Sequence, residues 1–256
     1  MAARSAFYRY YERRLARSLP AGSLPGHVGV IVDGHRRFAR TEGHPDFTES
    51  YRVGMAKLEE LLGWCAELGI QAVTAWVLST DNLRRPPEEL EPYYEVLVEL
   101  FARLPKLAAR LGFGLGVSGS LDLLPTGLAQ AAKHAERRDP TARLQVNIAL
   151  CYGGRQEIVD ACRWLVADLL AAGVEPSALP MAIDAEGISE HLYAADLPDA
   201  DLVIRTSGES RLSGFLLWQS AYAECVFVDP YWPAFRRVDL LRALRDYARR
   251  ERRFGA

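Results

Sequence analysis

The feature that most constrains the fold is a continuous apolar run, residues 28–32, which stops abruptly at Asp33-Gly34-His35-Arg36-Arg37. A strand with one solvated face would alternate apolar and polar residues, whereas this run is apolar throughout. Such a run is typical of a strand buried on both faces, with its polar groups at its carboxyl end. Helices must therefore cover both faces of the sheet to which it belongs.

Most later apolar runs are separated by segments with helical periodicity. The predicted strands are 28–32, 70–78, 113–117, 144–150, 201–204 and 225–228, and the predicted helices are 50–68, 87–111, 127–137, 156–171, 185–193 and 238–253. Gly69 and Gly112 suit helix C-caps, and Leu90, Tyr94 and Leu97 are expected to face the core. The alternation predicts one α/β domain with a mostly parallel sheet of about six strands flanked by helices.

The N-terminal residues 1–26 are predicted to form a helix and a linker, and residues 27–256 the domain that carries the site. The helix, 4–19, places Phe7, Tyr8, Tyr11 and Leu15 near one face. Such a stripe predicts packing onto the domain, with contact at a membrane surface as the alternative.

The bulk composition excludes several classes of protein. A formal net charge of -2 over 256 residues offers no general polyanion-binding surface, so no nucleic-acid partner is expected. The cysteines have no paired spacing and are interpreted as reduced thiols rather than disulfides or metal ligands. No apolar run reaches membrane-spanning length. These observations predict a cytoplasmic protein with at most peripheral membrane contact.

Polar clusters follow several of the predicted strands, at 33–37, 79–85, 152–155 and 205–211. In open parallel sheets, ligands bind outside the carboxyl ends of the strands. Asp33 can hold a divalent cation, Gly34 permits close approach of a ligand, and arginines offer forked donors to phosphate oxygens. The chain has neither a dinucleotide-binding glycine fingerprint nor a Walker loop. The clusters therefore predict a diphosphate site that uses magnesium.

Three segments carry a resemblance to a known family. His27, followed after four residues by Val32-Asp33-Gly34 and after two more by Arg37, resembles the opening signature of the cis-prenyltransferases, the undecaprenyl diphosphate synthase family. Residues 201–224, DLVIRTSGESRLSGFLLWQSAYAE, resemble the C-terminal signature of that family still more closely, and residues 79–86 resemble its central loop. The segment 51–57 is similar to that of shorter-chain members.

The resemblance implies a magnesium-dependent homodimer that condenses isopentenyl diphosphate with an allylic diphosphate to a short-chain Z-prenyl diphosphate. It implies that Asp33 and Glu224 hold the metal and that Asn82 accepts the proton. Arg205, Arg211 and Ser213 would grip isopentenyl diphosphate. The other residues implied to bind substrate are Gly34, His35, Arg36, Arg37, Phe38, Tyr51, Ser79, Thr80, Asp81, Leu83, Arg85 and Leu212.

The chain departs from the family pattern at several of these positions. His35 stands where the family has asparagine, and it is either a spectator or a group that titrates near neutral pH beside the diphosphate. Phe38 replaces a tryptophan, and Leu83 replaces an aromatic residue of the loop. Tyr51 stands where long-chain members have histidine. Val77 is bulkier than the residue usual in long-chain members, which favours short products.

These departures leave more than one function open. His35 motivates an atypical member that acts as a terpene synthase or cyclase, or as a head-to-middle coupling enzyme, because a change beside the diphosphate can alter how the cation is quenched. A non-catalytic subunit of a heteromeric enzyme is a third hypothesis. The retention of Asp33, Asn82 and Glu224 argues against it, since such a subunit needs no metal carboxylates.

Overall fold

A computed structural model of the chain describes residues 2–19 and 22–250, with side chains from residue 10 onward. The helices are α1 (Ala2–Arg17), α2 (His35–Glu42), α3 (Thr48–Leu68), α4 (Pro87–Leu111), α5 (Thr126–Ala135), α6 (Gly154–Ala171), α7 (Leu179–Ala182), α8 (Ala185–Glu190) and α9 (Arg237–Ala248). The strands are β1 (His27–Ile31), β2 (Ala72–Ser79), β3 (Phe113–Ser118), β4 (Leu144–Tyr152), β5 (Leu202–Arg205) and β6 (Glu224–Phe227).

The six strands form one sheet in the order β3-β4-β2-β1-β5-β6. Every neighbouring pair is parallel, so all six carboxyl ends lie at the same edge. All five residues of β1 are buried, as expected for a central strand covered on both faces. The predicted α/β class, with a parallel six-stranded sheet flanked by helices, is confirmed.

Alternate residues of the central strands pack into two hydrophobic cores, one on each face of the sheet. Val28 and Val30 face the larger core, which α3 and α4 complete with Leu58 and Leu97. Ile31 belongs to the smaller core on the opposite face, which includes Trp76 and Phe215. The Trp76 and Phe215 rings stack with centroids 5.2 Å apart and planes 9° apart. This stack holds the loop after β5 against the carboxyl edge of the sheet.

Helix α2 is the main element that the sequence did not reveal, since the region after the opening strand was read as a polar loop. The helix is only eight residues long and buries only His35 and Ala39, so it offers too few apolar residues for a helical pattern to be recognised. It begins directly at the polar cluster that ends β1. Its first turn therefore borders the carboxyl edge of the sheet.

The N-terminal helix packs onto the last helix. Leu15 of α1 is buried against Val238 and Leu241 of α9, and the Arg242 guanidinium lies 5.6 Å from the centre of the Tyr11 ring. The side chains of Phe7 and Tyr8, and residues 251–253 of the predicted C-terminal helix, lie outside the described residues. In the described part of the chain, no helix combines the length and apolarity needed to span a bilayer.

Candidate active site

A cavity of about 610 Å³ opens at the carboxyl edge of the sheet. Its walls come from the ends of β1, β2 and β5, from the start of α2, and from α3 and α4. The lining residues are Ile31, Val32, Asp33, Gly34, His35, Arg36, Arg37, Arg40, Tyr51, Trp76, Val77, Ser79, Asp81, Asn82, Arg85, Tyr93, Arg205, Glu209, Arg211 and Ser213. Most of the predicted site residues thus meet in one place.

Asp33 lies between two arginines at the end of β1. Its Oδ2 accepts a hydrogen bond of 2.8 Å from Arg205 and lies 3.5 Å from an Arg37 nitrogen. The Thr206 hydroxyl accepts from the Asp33 backbone N–H and donates to its carbonyl, which fixes the chain at this point. Burial alone would raise the pKa of Asp33, but the hydrogen bond and charge of Arg205, with the charge of Arg37, outweigh it and hold the pKa below its ordinary value. The carboxylate is therefore ionised at neutral pH.

The loop after β5 folds around the buried guanidinium of Arg205. This group donates to the Ser213 hydroxyl at 2.7 Å and to the Arg211 backbone carbonyl. Ser213 has a φ of 51°, in the left-handed region. Because the same guanidinium also holds Asp33, the loop and the end of β1 form one unit.

Arg37 is held by groups from the same loop. It donates to the Ser207 hydroxyl at 2.7 Å, and its guanidinium lies 5.6 Å from the centre of the Tyr231 ring. The Glu209 carboxylate bridges two arginines: its Oε1 lies 3.4 Å from Arg37 Nη1, and its Oε2 lies 2.9 Å from Arg211 Nη2. Three arginines and two carboxylates thus form one ionic network around the mouth of the cavity.

Gly34 allows α2 to begin where it does. Its φ is 108°, and a Cβ at this position would lie 2.9 Å from the Tyr231 ring and 3.0 Å from the Ser207 Cβ. Only glycine adopts this conformation in the available space without strain. The free N–H groups of the first turn of α2 consequently face the cavity edge, where an anion can bind them.

The predicted central loop forms a short 3-10 turn, Thr80–Arg84, after β2. The Asn82 backbone N–H donates to the Ser79 hydroxyl at 3.1 Å, and the Ser79 N–H donates to the Asn82 side-chain oxygen at 3.2 Å. This reciprocal capping pair fixes the turn. It brings Asp81, Asn82 and Arg85 to the wall of the cavity opposite Arg205.

His35 is buried at the start of α2. Its Nε2 lies only 2.1 Å from the position of a Cβ built on Gly54 of α3, so the ring packs directly against that glycine. Burial, with a smaller contribution from the charge of Arg85, lowers the pKa of His35 to about 4 against the opposing effect of Asp33. The ring is therefore neutral at neutral pH, which favours the spectator interpretation over a group that titrates near neutrality.

Three neighbouring rings form part of the cavity wall. The ring centroids of Tyr51 and Tyr93 are 4.4 Å apart, and those of His35 lie 5.6 Å from Tyr51 and 6.3 Å from Tyr93. The Tyr93 hydroxyl donates to the Val77 backbone carbonyl. Burial raises the pKa of Tyr51, so it stays protonated. We call His35, Tyr51 and Tyr93 the aromatic wall.

Four residues that the resemblance assigned to substrate binding do not line the cavity. Phe38 lies beside the His44 ring at 6.0 Å, Leu83 packs against the larger core, and Leu212 packs against the smaller one. Thr80 lies behind Gly153, with its hydroxyl 2.8 Å from where a Cβ of that glycine would be. Leu83 and Leu212 have no polar group to offer to a diphosphate, so their packing is the simpler role.

Glu224 does not lie near Asp33 of its own chain, so one copy of the chain does not bring together the two carboxylates that the resemblance assigns to the metal. It is the first residue of β6 and aligns through Leu202 with Val28, at the amino end of the sheet. Asp33 follows Val28 by five residues. At about 3.3 Å per residue, Glu224 therefore lies roughly 15 Å from Asp33 along the strand direction. The Glu224 carboxylate instead pairs with Arg250.

Several cavity residues were absent from the sequence-based set. They are Ile31, Val32, Arg40, Trp76, Tyr93 and Glu209, whereas Val77 was expected to influence product length. Tyr94 packs against the larger core as expected but is only partly buried, whereas Tyr93 is nearly fully buried, with 3% of its surface exposed. Tyr93 follows Leu90 by three residues and precedes Leu97 by four, so helical spacing contained this signal. For Glu209, its position inside the C-terminal signature was the available signal.

A parallel α/β fold with a carboxylate among arginines at its carboxyl edge defines an enzyme site for phosphorylated ligands. Comparison with known families identifies which family of such enzymes the chain resembles. The family model described as "Putative undecaprenyl diphosphate synthase" matches residues 31–255. The chain therefore belongs to the undecaprenyl diphosphate synthase family, the cis-prenyltransferases, and is a prenyltransferase.

Named relatives agree with this assignment. The chain is 51% identical over 255 residues to the (2Z,6E)-farnesyl diphosphate synthase of Thermobifida fusca (strain YX), covering 98% of both chains. It is 48% identical over 251 residues to the short-chain Z-isoprenyl diphosphate synthase of Mycobacterium bovis, covering 97% of this chain and 95% of that one. The crystal structure of lavandulyl diphosphate synthase from Lavandula x intermedia, in complex with dimethylallyl diphosphate, matches with a TM-score of 0.84 at 30% identity, covering 91% and 99% of the two chains.

Proposed function

We propose that this protein is a magnesium-dependent synthase that condenses isopentenyl diphosphate with an allylic diphosphate to a short-chain Z-prenyl diphosphate. The observation that carries the proposal is the ionised Asp33 between Arg37 and Arg205 at the carboxyl edge of the sheet. The family assignment and the names of the relatives support the same reaction class. In this reaction the allylic C–O bond breaks, a C–C bond forms, and isopentenyl diphosphate loses a proton.

Two sets of donors suit the two diphosphates. We assign the allylic diphosphate to Arg37 and the N–H groups at the start of α2, with Arg36 beside them. We assign isopentenyl diphosphate to Arg205, Arg211 and Ser213, which the 2.7 Å bond between Arg205 and Ser213 already brings together. Arginine forks bind phosphate oxygens in pairs, so each set can orient one diphosphate.

The donors at the site fit magnesium bound jointly with substrate. Among the described residues, no group of three or more histidine, cysteine, aspartate or glutamate side chains is placed to hold a metal ion. Magnesium often binds one or two carboxylates together with substrate phosphates and water, and the ionised Asp33 suits this arrangement. Bound there, the ion supplies positive charge that stabilises the departing diphosphate.

We extend the proposal to a homodimer. Glu224 reaches a second site only from another copy of the chain, because its own Asp33 lies at the opposite end of the sheet. Strand β6 is a sheet edge, and the adjacent Tyr222 and Phe227 are 81% and 40% exposed. Exposed apolar groups beside a strand edge favour a partner there. Light scattering at micromolar concentration tests this, with a monomer as the contradicting result.

Asn82 is our candidate for the group that receives the proton, as the resemblance implies. Its side-chain oxygen accepts the Ser79 N–H, so one lone pair is occupied and the amide is held in a fixed orientation. The capping pair thereby positions Asn82 at the cavity wall. Asn82→Ala should lower kcat more than it changes the KM for either diphosphate if this assignment is correct.

The reaction itself is tested by incubating the purified protein with magnesium and an allylic diphosphate, with and without isopentenyl diphosphate, and analysing the products by mass. We expect products that retain a diphosphate and that form only when isopentenyl diphosphate is present. Chelation of the metal should stop their formation. Failure to turn over any allylic diphosphate would contradict the proposal.

A second candidate is irregular coupling or release of a terpene product from the allylic substrate alone. The presence of His35 at the position where the family has asparagine motivates it, as does the structural likeness to lavandulyl diphosphate synthase. The same assay separates the two functions. A product formed from dimethylallyl diphosphate without isopentenyl diphosphate would favour the second candidate.

A further inference from the structure

Glu157 carries a carboxylate that is buried outside the cavity. It lies in the first turn of α6 with 1% of its surface exposed, and it is not one of the residues that line the cavity. We propose that Glu157 is a positioning residue, which holds segment 211–219 so that Arg211 and Ser213 meet isopentenyl diphosphate in a fixed orientation. This inference rests on the proposed function, because it assigns a support to the isopentenyl diphosphate end of the same site.

The Glu157 carboxylate accepts hydrogen bonds from three different parts of the chain. Its Oε2 accepts from the Tyr152 hydroxyl, and its Oε1 accepts from the Tyr193 backbone N–H at 3.1 Å and from Gln219 Nε2 at 3.0 Å. These donors belong to the end of β4, the stretch after α8 and the end of segment 211–219. Burial raises the pKa of Glu157, and the three donors oppose that shift. Removing such an acceptor is costly, because its buried donors lose their partner.

The start of α6 contacts the same segment at a second point. The Gly154 backbone N–H donates to the Gly214 carbonyl at 2.9 Å, and a Cβ built on Gly154 would lie only 2.5 Å from that oxygen. The Tyr152 ring meets the Phe215 ring edge-on, with centroids 6.1 Å apart. Helix α6 and the end of β4 therefore support the segment from Gly214 onward, and Glu157 joins these two supports through its bond with Tyr152.

The segment needs this support because its backbone is strained. Ser213 and Leu216 have φ values of 51° and 45°, in the left-handed region. Residues other than glycine keep this conformation only where the surrounding structure imposes it. Arg205 holds the first part of the segment through the Arg211 carbonyl and the Ser213 hydroxyl. Glu157 holds the last part through Gln219, so the strained residues lie between two fixed points.

The allylic side of the site is held in a different way. Arg37 donates to the hydroxyl of Ser207, which precedes the segment. Loss of the Glu157 acceptors should therefore loosen Arg211 and Ser213 while the donors to the allylic diphosphate stay in place. The expected signature is weaker binding of isopentenyl diphosphate alone.

The test compares two variants of Glu157 by steady-state kinetics. Glu157→Leu keeps the approximate volume and removes the acceptors, so it should raise the KM for isopentenyl diphosphate by about tenfold while the KM for the allylic diphosphate changes by less than about twofold. Glu157→Gln keeps one acceptor oxygen for Tyr193 and Gln219, and its amide can donate to the Tyr152 oxygen. This variant should therefore restore nearly wild-type kinetics.

Asp160→Asn is the matched control. Asp160 lies three residues further along α6 and accepts a bond of 2.6 Å from the Tyr193 hydroxyl, so it holds a residue that Glu157 also holds. Both KM values should remain at the wild-type level in this variant.

Several outcomes would overturn the inference. A wild-type KM for isopentenyl diphosphate in a folded Glu157→Leu would do so, as would an equal rise in both KM values, which indicates general loosening. A Glu157→Gln variant as impaired as Glu157→Leu would show that charge rather than hydrogen bonding matters. If Glu157→Leu does not fold, Gln219→Met removes a single donor and should raise the same KM, and an unchanged KM there would count equally against the inference.

Failure of the proposed function can be told apart from failure of this inference. If the wild type turns over no isopentenyl diphosphate, the proposed function fails. Amide hydrogen exchange of residues 211–219 then decides whether Glu157 holds the segment. Faster exchange in Glu157→Leu than in Asp160→Asn would support the positioning role, and equal exchange in the two variants would overturn it.

Discussion

Asp33 and Arg205 are 172 residues apart in sequence, and their side chains meet at 2.8 Å across the ends of two neighbouring strands. The parallel pairing of β1 with β5 aligns Ile31 with Arg205 and so brings the carboxylate within reach. Arg205 also holds Ser213 of the following loop. One buried guanidinium therefore positions the carboxylate and part of the second diphosphate site together.

The first prediction concerns the charge of Asp33. Asp33→Asn keeps the shape of the side chain and removes its negative charge, so we expect kcat to fall by about 10²–10³-fold. The far-ultraviolet circular dichroism spectrum should be unchanged. Asp246→Asn, an exposed change on α9, is the control and should retain activity. Equal activity in both variants would remove Asp33 from the metal site.

The second prediction uses the depressed pKa of His35. The folded protein keeps the ring neutral down to about pH 4, whereas the unfolded chain takes up a proton near pH 6.5. The unfolded state therefore binds more protons between these values, and stability falls as pH falls through this window. The loss should be on the order of 3 kcal/mol relative to His35→Asn. Denaturant unfolding at a series of pH values measures it, and parallel curves for the two proteins would contradict it.

The third prediction concerns the contact between His35 and Gly54. A methyl group at position 54 would overlap the His35 ring, and the rings of the aromatic wall leave that ring little room to move. Gly54→Ala should lower the free energy of unfolding by about 1–3 kcal/mol. In a His35→Ala background the overlap with the ring is removed and only the 3.1 Å contact with Trp232 remains, so the same change should cost much less.

A double-mutant cycle measures this coupling. The interaction between the two sites should be about 0.5–3 kcal/mol. Gly63→Ala, in an open position of the same helix, is the control for the effect of alanine on helix propensity. Additive costs at positions 35 and 54 would show that the two residues do not compete for the same space.

The location of Glu224 illustrates what sequence can and cannot supply. Asp33 and Arg205 end or follow their strands, whereas Glu224 precedes the predicted strand 225–228. That order alone places it at the amino edge of a parallel sheet, and only the resemblance suggested that it shares a metal site with Asp33. Strand positions were readable from apolar runs. The order β3-β4-β2-β1-β5-β6 was not, because it depends on how the crossover helices pack.

The aromatic wall is a second feature that could not be predicted from the sequence alone. The departure at His35 was visible in the sequence, but its effect depends on Gly54 and on the burial that makes the ring neutral. Tyr93 was passed over for Tyr94 because two adjacent tyrosines differ by only about 100° around a helix. Side-chain neighbours from α2, α3 and α4 decide such cases, and they meet only in the folded protein.

The fourth prediction concerns backbone strain at Ser207. This residue has a φ of 76°, a left-handed conformation that glycine adopts freely and that costs other residues about 1–2 kcal/mol. Its hydroxyl also accepts the 2.7 Å bond from Arg37. Ser207→Gly and Ser207→Ala both remove this bond, but only glycine relieves the strain. The glycine variant should therefore be more stable than the alanine variant by about 1 kcal/mol.

The two variants Ser207→Gly and Ser207→Ala should differ in stability but not in activity. Arg37 loses the same partner in both variants, so we expect the KM for the allylic diphosphate to rise by about three- to tenfold in each. Denaturant midpoints and steady-state kinetics on the same preparations provide the two measurements. Equal stability would mean that no strain is stored at position 207. A wild-type KM in both variants would mean that the Ser207 hydroxyl does not orient Arg37. The remaining contacts of Arg37 with Asp33, Tyr231, Glu209 and the Ser207 backbone carbonyl would then be sufficient to orient it.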